Sequence, residues 1–318
     1  MNDTKKVTNQ EFGQENDQLE KLQKTPKFFA NILSNHNTTY KIAKSFYEKY
    51  IDFIGSFHLL PDFLIIGAAR AGSTSLYEGL KTHPDVFGSR IKEIYFFDTN
   101  FHRGVNWYKR FFPSKWQKFQ IVKIHKKKFL TGEATPHYIS YPHAPKRVFI
   151  LIPNVKLIVI LRNPIDRAYS QYQSRVSAGT EPLSFDDAIK KEDIRLENVL
   201  KKMEEDENYI HNNFFRYSYL HHGIYVNGLR KWMETFPKNQ FLILKAEEFY
   251  QKPAIIFESI QKFLGLPKFH PANDTHYNLG KYNEMNTTTR KFLHEFFKPH
   301  NEELYKFLGR DFGWEIEN

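Results

Sequence analysis

The sequence predicts an α/β fold built on a central, mainly parallel sheet flanked by helices, and three observations carry that prediction. Asp62–Ala68 (DFLIIGA), Lys156–Leu161 (KLIVIL) and Gln240–Leu244 (QFLIL) are continuous apolar runs of strand length, the pattern of strands covered on both faces. The first two lead directly into segments of helical period, as parallel strands with helical crossovers do. At 318 residues, 41% hydrophobic and 16% aromatic, the chain has the length and apolar content to bury a full core.

The elements follow in order. The first two dozen residues are polar, of mixed charge, and read as a frayed tail. Between Phe28 and Leu60, apolar residues including Tyr40, Phe46, Tyr47, Tyr50, Ile51 and Ile54 recur at helical spacing and predict one or two helices. Residues 1–60 are therefore expected to form a tail and helical extension, and 61–318 one domain. Pro61 precedes the first strand, and Ser73–His83 after it predicts a helix closed by Pro84. Arg162-Asn163-Pro164 and the helical IDRAYSQYQSRVSA follow the second strand, and the amphipathic Ile224–Phe236 precedes the third. Gly179–Tyr209 is polar and charge-rich and is read as a mobile insertion with helical pieces.

Lys and Arg number 46 against 36 Asp and Glu, a formal net charge of +10, so an anionic ligand is expected. Cysteine is absent, which excludes disulfides, thiolate metal sites and a Cys nucleophile. The start has no apolar segment of the secretory type, and VFILIPNVKLIVILR is interrupted by Pro153, Asn154 and Lys156, too early for a membrane span. A cytoplasmic protein without membrane insertion is expected. KIHKKK (Lys123–Lys128) is the strongest basic run; it is read as a solvated loop between edge strands, and no nucleic-acid-binding signature accompanies it. No spacing of His with carboxylates predicts a metal site.

The most informative segment is Gly67-Ala68-Ala69-Arg70-Ala71-Gly72-Ser73-Thr74, between the first strand and its helix. Small residues let the backbone wrap a phosphate, and the N–H groups and dipole at a helix start favour negative charge. Ser73, Thr74 and Ser75 add hydroxyl donors. The Gly-x4-Gly spacing is that of a P-loop, but Ser73 stands where a nucleoside triphosphatase needs Lys to reach the β- and γ-phosphates. The fixed charge comes instead from Arg70. The other reading is a plain small-residue turn.

At the end of the second strand, Arg162 lies at the edge where open α/β sheets bind ligands, with Ser170 eight residues on. Together they are expected to hold a second phosphate, the guanidinium offering a bidentate fork. Arg167 competes for that role but reads more simply as a solvated helix charge.

GAARAGSTSL, KEIYFFD, GEATPHYI, LRNPIDRAYSQY, HHGIYVNGLRKWMETFP, FLGL and LGRDFGW occur in the order found in sulfotransferases that use 3′-phosphoadenosine 5′-phosphosulfate (PAPS). From about Pro61 to Trp314 the chain resembles this family, and within it the heparan-sulfate-type branch and its bacterial relatives. The resemblance implies a three-layer fold like that of P-loop kinases, PAPS as donor, PAP as product and no metal. It implies that Arg70, Ala71, Gly72, Ser73, Thr74 and Ser75 cradle the 5′-phosphosulfate, Arg70 standing where many relatives carry Lys. It assigns Arg162 and Ser170 to the 3′-phosphate, and places Lys281 in a segment that closes over the nucleotide.

The same resemblance makes Glu93, in KEIYFFD, the base that takes a proton from the acceptor. A carboxylate among aromatic residues is expected to be partly desolvated and its pKa raised; the alternative is an exposed Glu paired with Lys92. Asp98 is read as orienting the acceptor or as structural. Ala134 occupies a position where relatives often have Lys. His137, in ATPHYI, is the His expected to face the site, although a lone His more often packs or hydrogen-bonds than acts as a base. The insertion 179–219 is expected to form a lid over the acceptor. The acceptor is expected to be a small molecule such as a secondary metabolite, carrying a hydroxyl or amine, with a carbohydrate or lipid-linked sugar as the alternative. A kinase-like phosphotransferase and a non-catalytic nucleotide-binding module are the remoter readings.

Overall fold

A computed structural model describes residues 37–269 and 284–314. The chain divides into two compact units, Met1–Ile54 and Gly55–Asn318. Helix α1 (Asn37–Ser56) lies in the stretch of predicted helical spacing, and residues 28–36 of that stretch lie outside the described residues.

The second unit is organised by one sheet of four parallel strands. These are β1 (Phe63–Gly67), β2 (Gly132–Ala134), β3 (Lys156–Leu161) and β4 (Phe241–Lys245), in the order β2-β1-β3-β4. Phe63 lies opposite Gly132 on one side and Lys156 on the other, and Leu157 lies opposite Phe241. All five residues of β1 are buried, as are all of β3 but Lys156, which is why both read as unbroken apolar runs. Strand β4 is mostly half-buried, as an edge strand is.

Around the sheet run α2 (Ser73–Lys81), α3 (Ala144–Leu151), α4 (Pro164–Ser177), α5 (Tyr225–Thr235), α6 (Pro253–Leu264) and α7 (Thr287–Leu308). Pro164 at the first position of α4 has a φ suited to a helix start and lacks only an N–H that would be unpaired there. Gly265, at φ 71°, closes α6 in the left-handed conformation that a side chain disfavours. Aromatic packing fills the interior: Phe96 stacks on Tyr108 at 4.3 Å, Tyr108 meets Phe97 edge-on, and Trp232 of α5 is fully buried.

Two sequence-based expectations change, and the insertion carries the helical pieces expected of it. Strand β2 falls in GEATP, where no apolar run predicts a strand. A buried Glu133 sits in its middle, satisfied by the hydroxyls of Tyr108 (2.5 Å), Thr135 (2.7 Å) and Tyr138 (3.2 Å). The KIHKKK run is a loop over residues 125–128, leading toward the edge strand β2, but it does not join two strands, because Lys123 and Ile124 end the helical run Lys115–Ile124 that precedes it. The insertion is a string of short helices, at Phe185–Lys190, Glu192–Leu196, Val199–Glu205 and Asn212–Tyr217. It is pinned by Arg195, which donates to both oxygens of Glu181 (2.5 and 2.9 Å), and by the Tyr219 hydroxyl on the same carboxylate (2.8 Å).

Candidate active site

The phosphate-loop residues gather at the carboxyl end of β1. Arg70 and Gly72 both have left-handed backbones, φ 68° and 95°, and bend the chain into a cradle leading into α2. A Cβ added to Gly72 would lie 2.8 Å from the Tyr250 hydroxyl, so the position needs glycine on both conformational and steric grounds. Gly72 stands at the cap of α2 and has no side chain to cap it, and the first turn carries Ser73, Thr74 and Ser75 with no acidic residue. A helix start left open to an anion, in a cradle that a side chain would fill, fits a phosphate.

The second strand end meets the first. Arg70 Nε donates to Ser170 Oγ at 3.2 Å, and Arg162 Nη1 donates to the Arg70 carbonyl at 3.3 Å. Ser170 is buried on α4, two turns from its start, and the Tyr225 hydroxyl on α5 fixes the Arg162 carbonyl at 2.8 Å. Asn163 caps α4 through Ile165 N (3.0 Å) while its own N–H donates to Glu247 (2.8 Å). Arg70, Ala71, Gly72, Ser73, Thr74, Ser75, Arg162 and Ser170 thus form one constellation. Lys281 lies outside the described residues.

Arg167 is not a solvated charge. It is fully buried, donating to Gln171 Oε1 at 2.7 Å and to the Tyr219 carbonyl, and burial lowers its pKa. Its guanidinium feels the charges of Arg70 and Arg162 and in turn lowers the pKa of His137 and His222. Glu192, buried and accepting from Leu220 N (2.7 Å) and His221 N (2.8 Å), lies within its field and is pushed up to about 7 by burial. Sequence reasoning missed this group, although Arg167, Gln171 and Arg175 recur every four residues on one face of α4.

Glu93 stands where KEIYFFD crosses the end of β2, its N–H on the Ala134 carbonyl at 3.0 Å and its φ at 60°. Lys92 Nζ and the Tyr95 hydroxyl both donate to its carboxylate. The expected rise in its pKa does not occur. Burial pushes the carboxyl up, but Lys92, Tyr95 and the nearby His137 outweigh it and hold it below its ordinary value. Glu93 is paired with Lys92, as its alternative reading had it, yet only a quarter of its side chain is exposed.

His137 faces the same region. Its ring lies 6.1 Å from Tyr95, 5.4 Å from Phe215 and 5.7 Å from His222. Burial pushes it down to about 4, so it is neutral near pH 7, and among the described residues its Nδ1 is buried with no hydrogen-bond partner. Beside these residues a cavity of about 530 Å3 opens between α5 and the insertion, with Tyr141, Met203, Phe214, His222 and Lys231 among its walls. Tyr141 Oη and His222 Nε2 are buried there and make no hydrogen bond among the described residues.

Asp98 is set deeper. It is 2% exposed, with Oδ1 accepting from Thr99 N at 2.6 Å and Oδ2 unpartnered among the described residues. Burial pushes it up to about 7, and Glu133 adds to the rise while Arg147 opposes it. A folded-state pKa above the unfolded value of about 3.9 means native protein keeps a proton that unfolded chain has lost. Stability from Asp98 is therefore complete below that value and is lost as pH rises toward 7. Asp98→Asn is expected to gain stability relative to the parent across that window, by up to ~4 kcal/mol above pH 7. Urea unfolding of both proteins from pH 5 to about pH 8 measures the difference; a difference independent of pH would contradict the raised pKa.

The comparisons with known proteins agree with this geometry. The family model described as "Sulfotransferase domain" matches residues 60–313. The chain is 32% identical over 280 residues to the bifunctional heparan sulfate N-deacetylase/N-sulfotransferase 1 of Caenorhabditis elegans, covering 79% of this chain and 30% of that protein. It is 30% identical over 280 residues to the heparan sulfate glucosamine 3-O-sulfotransferase 3B1 of Mus musculus, covering 80% of this chain and 65% of that one. The chain thus spans less than a third of the first relative and about two thirds of the second. The crystal structure of a sulfotransferase from Alicyclobacillus acidocaldarius superimposes with a TM-score of 0.62 at 26% identity, over 81% of this chain and 100% of that one.

Proposed function

The chain belongs to the PAPS-dependent sulfotransferase family, and on that premise we propose that it moves a sulfuryl group from PAPS to a hydroxyl or amine of a compact acceptor. The observation that carries the reading is the convergence of Arg70, Arg162 and Ser170 beside an uncapped helix start. Two separated anionic groups on one ligand suit it: the cradle from Arg70 to Ser75 for the 5′-phosphosulfate, and Arg162 with Ser170 for the 3′-phosphate. Lys281 is assigned with them.

Bound, the donor supplies an electrophilic sulfuryl group on a phosphate leaving group. Glu93 takes the acceptor's proton at a carboxylate oxygen, and it is already ionised at neutral pH because Lys92 and Tyr95 hold its pKa down. Arg70, held by Ser170, places fixed positive charge where negative charge grows on the leaving phosphate. A guanidinium cannot serve as a proton donor here, so its part is electrostatic. His137, neutral and buried, offers a hydrogen bond to the acceptor, and Asp98 supports the segment that carries Glu93 from behind it.

The cavity lined by Tyr141, Phe214 and His222, the last with its ring 5.7 Å from that of His137, supports a compact acceptor such as a secondary metabolite. The insertion 179–219, which supplies Met203 and Phe214, is the element that sets its specificity. Residues 61–318 form the catalytic domain in this reading, and 1–60 an extension. A sugar acceptor is the second reading, favoured by the relatives named for heparan sulfate glucosamine chemistry.

Isothermal titration should show PAP binding without Mg2+ and at least tenfold more tightly than ADP, about 1.4 kcal/mol. Equal affinities would overturn the donor assignment. Labelled PAPS incubated with host extract, followed by mass spectrometry of the sulfated product, then separates a small metabolite from a saccharide.

A further inference from the structure

The positive charge of this chain is concentrated in one place. From residue 99 to residue 132 there are nine Lys or Arg and no Asp or Glu, leaving 37 basic against 36 acidic residues for the remainder. Nearly all of the +10 therefore lies in about a tenth of the chain, and neither the phosphate cradle nor Arg162 belongs to that stretch. Its densest part is the helical run Lys115–Ile124 with Lys126, Lys127 and Lys128 behind it. Lys115, Lys123, Lys126, Lys127 and Lys128 are exposed, and no carboxylate among the described residues lies within ion-pair distance of them.

The same surface also exposes large apolar side chains. Trp116 is 67% exposed, Phe119 56% and Ile124 60%. A surface built only to hold a polyanion or to stay solvated has no use for them. Lysines interleaved with exposed Trp, Phe and Ile on one helical run suit the interface of a bilayer, where the rings and aliphatic groups enter the headgroup boundary and the ammonium groups meet anionic lipid.

The surface is held firmly. Ser114 Oγ caps the run by accepting from Gln117 N at 3.1 Å, and Lys115 N donates to the Phe57 carbonyl at 2.8 Å. Lys118 lies 5.6 Å from the centre of the Phe129 ring, which stacks on Phe87 at 4.5 Å, and Lys128 Nζ donates to the Gly265 carbonyl at 2.5 Å. The chain then passes through Phe129 and Leu130 into the amino end of β2. The phosphate loop and Arg162 lie at the carboxyl ends of β1 and β3, so a bilayer at the basic surface leaves the site accessible.

We propose that the surface formed by Lys115–Lys128 is a peripheral docking site for an anionic lipid bilayer. It needs no membrane-crossing helix; among the described residues no helix is long and apolar enough to cross one.

The test is co-sedimentation of the full chain with vesicles of phosphatidylcholine alone and of phosphatidylcholine mixed with phosphatidylserine, with tryptophan emission recorded in parallel. Trp107, Trp232 and Trp314 are buried, so a change in emission on adding vesicles reports Trp116. The expected result is binding to the phosphatidylserine vesicles, weakened by salt, with a blue shift in emission. K123Q/K126Q/K127Q should lower the partition about a hundredfold, roughly fivefold for each lysine. W116A/I124A should weaken vesicle binding without changing retention on heparin. Both variants should bind PAP like the parent, which shows that they fold. No binding to phosphatidylserine vesicles would overturn the proposal. So would vesicle binding by W116A/I124A equal to the parent's, which would make the surface a site for soluble polyanions. Trp116 emission already blue-shifted without vesicles would overturn it too, because the chain's own remaining residues would then cover the surface.

Discussion

Glu93→Gln is expected to bind PAP as the parent does and to lose about 10²–10⁴-fold in turnover, the range for removal of a general base. The amide keeps the shape and one acceptor oxygen for Lys92, while the Tyr95 hydroxyl, which donates to the other carboxylate oxygen, can instead accept from the amide NH2. What it loses is the ability to accept a proton. Titration calorimetry for PAP and a single-turnover assay with labelled PAPS separate the two properties. In the parent, the acidic limb of the pH–rate profile should lie below 4.5, the ordinary Glu value, because Lys92 and Tyr95 overcome the effect of burial. Full activity in the variant would move the base elsewhere, and the neutral His137 beside it would be the next group to test.

The second large effect concerns the 3′-phosphate. Arg162→Ala should weaken PAP by about 10- to 150-fold, the 1.5–3 kcal/mol of a charged hydrogen bond. Adenosine 5′-phosphosulfate, which has no 3′-phosphate, should be affected much less. Arg162 also donates to the Arg70 carbonyl, so its removal could loosen the cradle as well. The two ligands distinguish these effects: equal losses for both would mean that Arg162 acts by shaping the loop and not by contacting the 3′-phosphate.

Much of the fold was legible because its signals are local. A strand covered on both faces must be apolar at every position, so β1 and β3 appear as FLIIG and KLIVIL, within a residue of where they form. The turn from β1 into α2 was equally readable as a small-residue loop with hydroxyls and no acid at the helix start. Strand β2 was not readable. It is three residues long, and its central Glu133 is tolerable only because the fold brings the Tyr108 hydroxyl, from 25 residues away, to join those of Thr135 and Tyr138 around it. The same limit explains Arg167: nothing local marks an arginine for full burial, and its partners Tyr219 and Glu192 come from the insertion.

By itself the sequence determined the α/β class and the small-residue loop with its hydroxyl-bearing helix start, both set by residue type at short spacing. Only the tertiary structure decided which way the ionisable groups shift. Glu93 falls and Asp98 rises, although they are five residues apart in the same aromatic segment. Both are desolvated, but Glu93 has an ammonium and a phenol at its oxygens, whereas Asp98 has one oxygen without a partner among the described residues and a second buried carboxylate nearby. The charge surplus divided in the same way. Its size and the gathering of nine basic residues between 99 and 132 stand in the sequence, and only the folded surface showed that the helical run there also exposes Trp116, Phe119 and Ile124. A pKa or a charged surface depends on what lies within a few ångströms in space, and neighbours brought together by folding leave no mark on the local sequence.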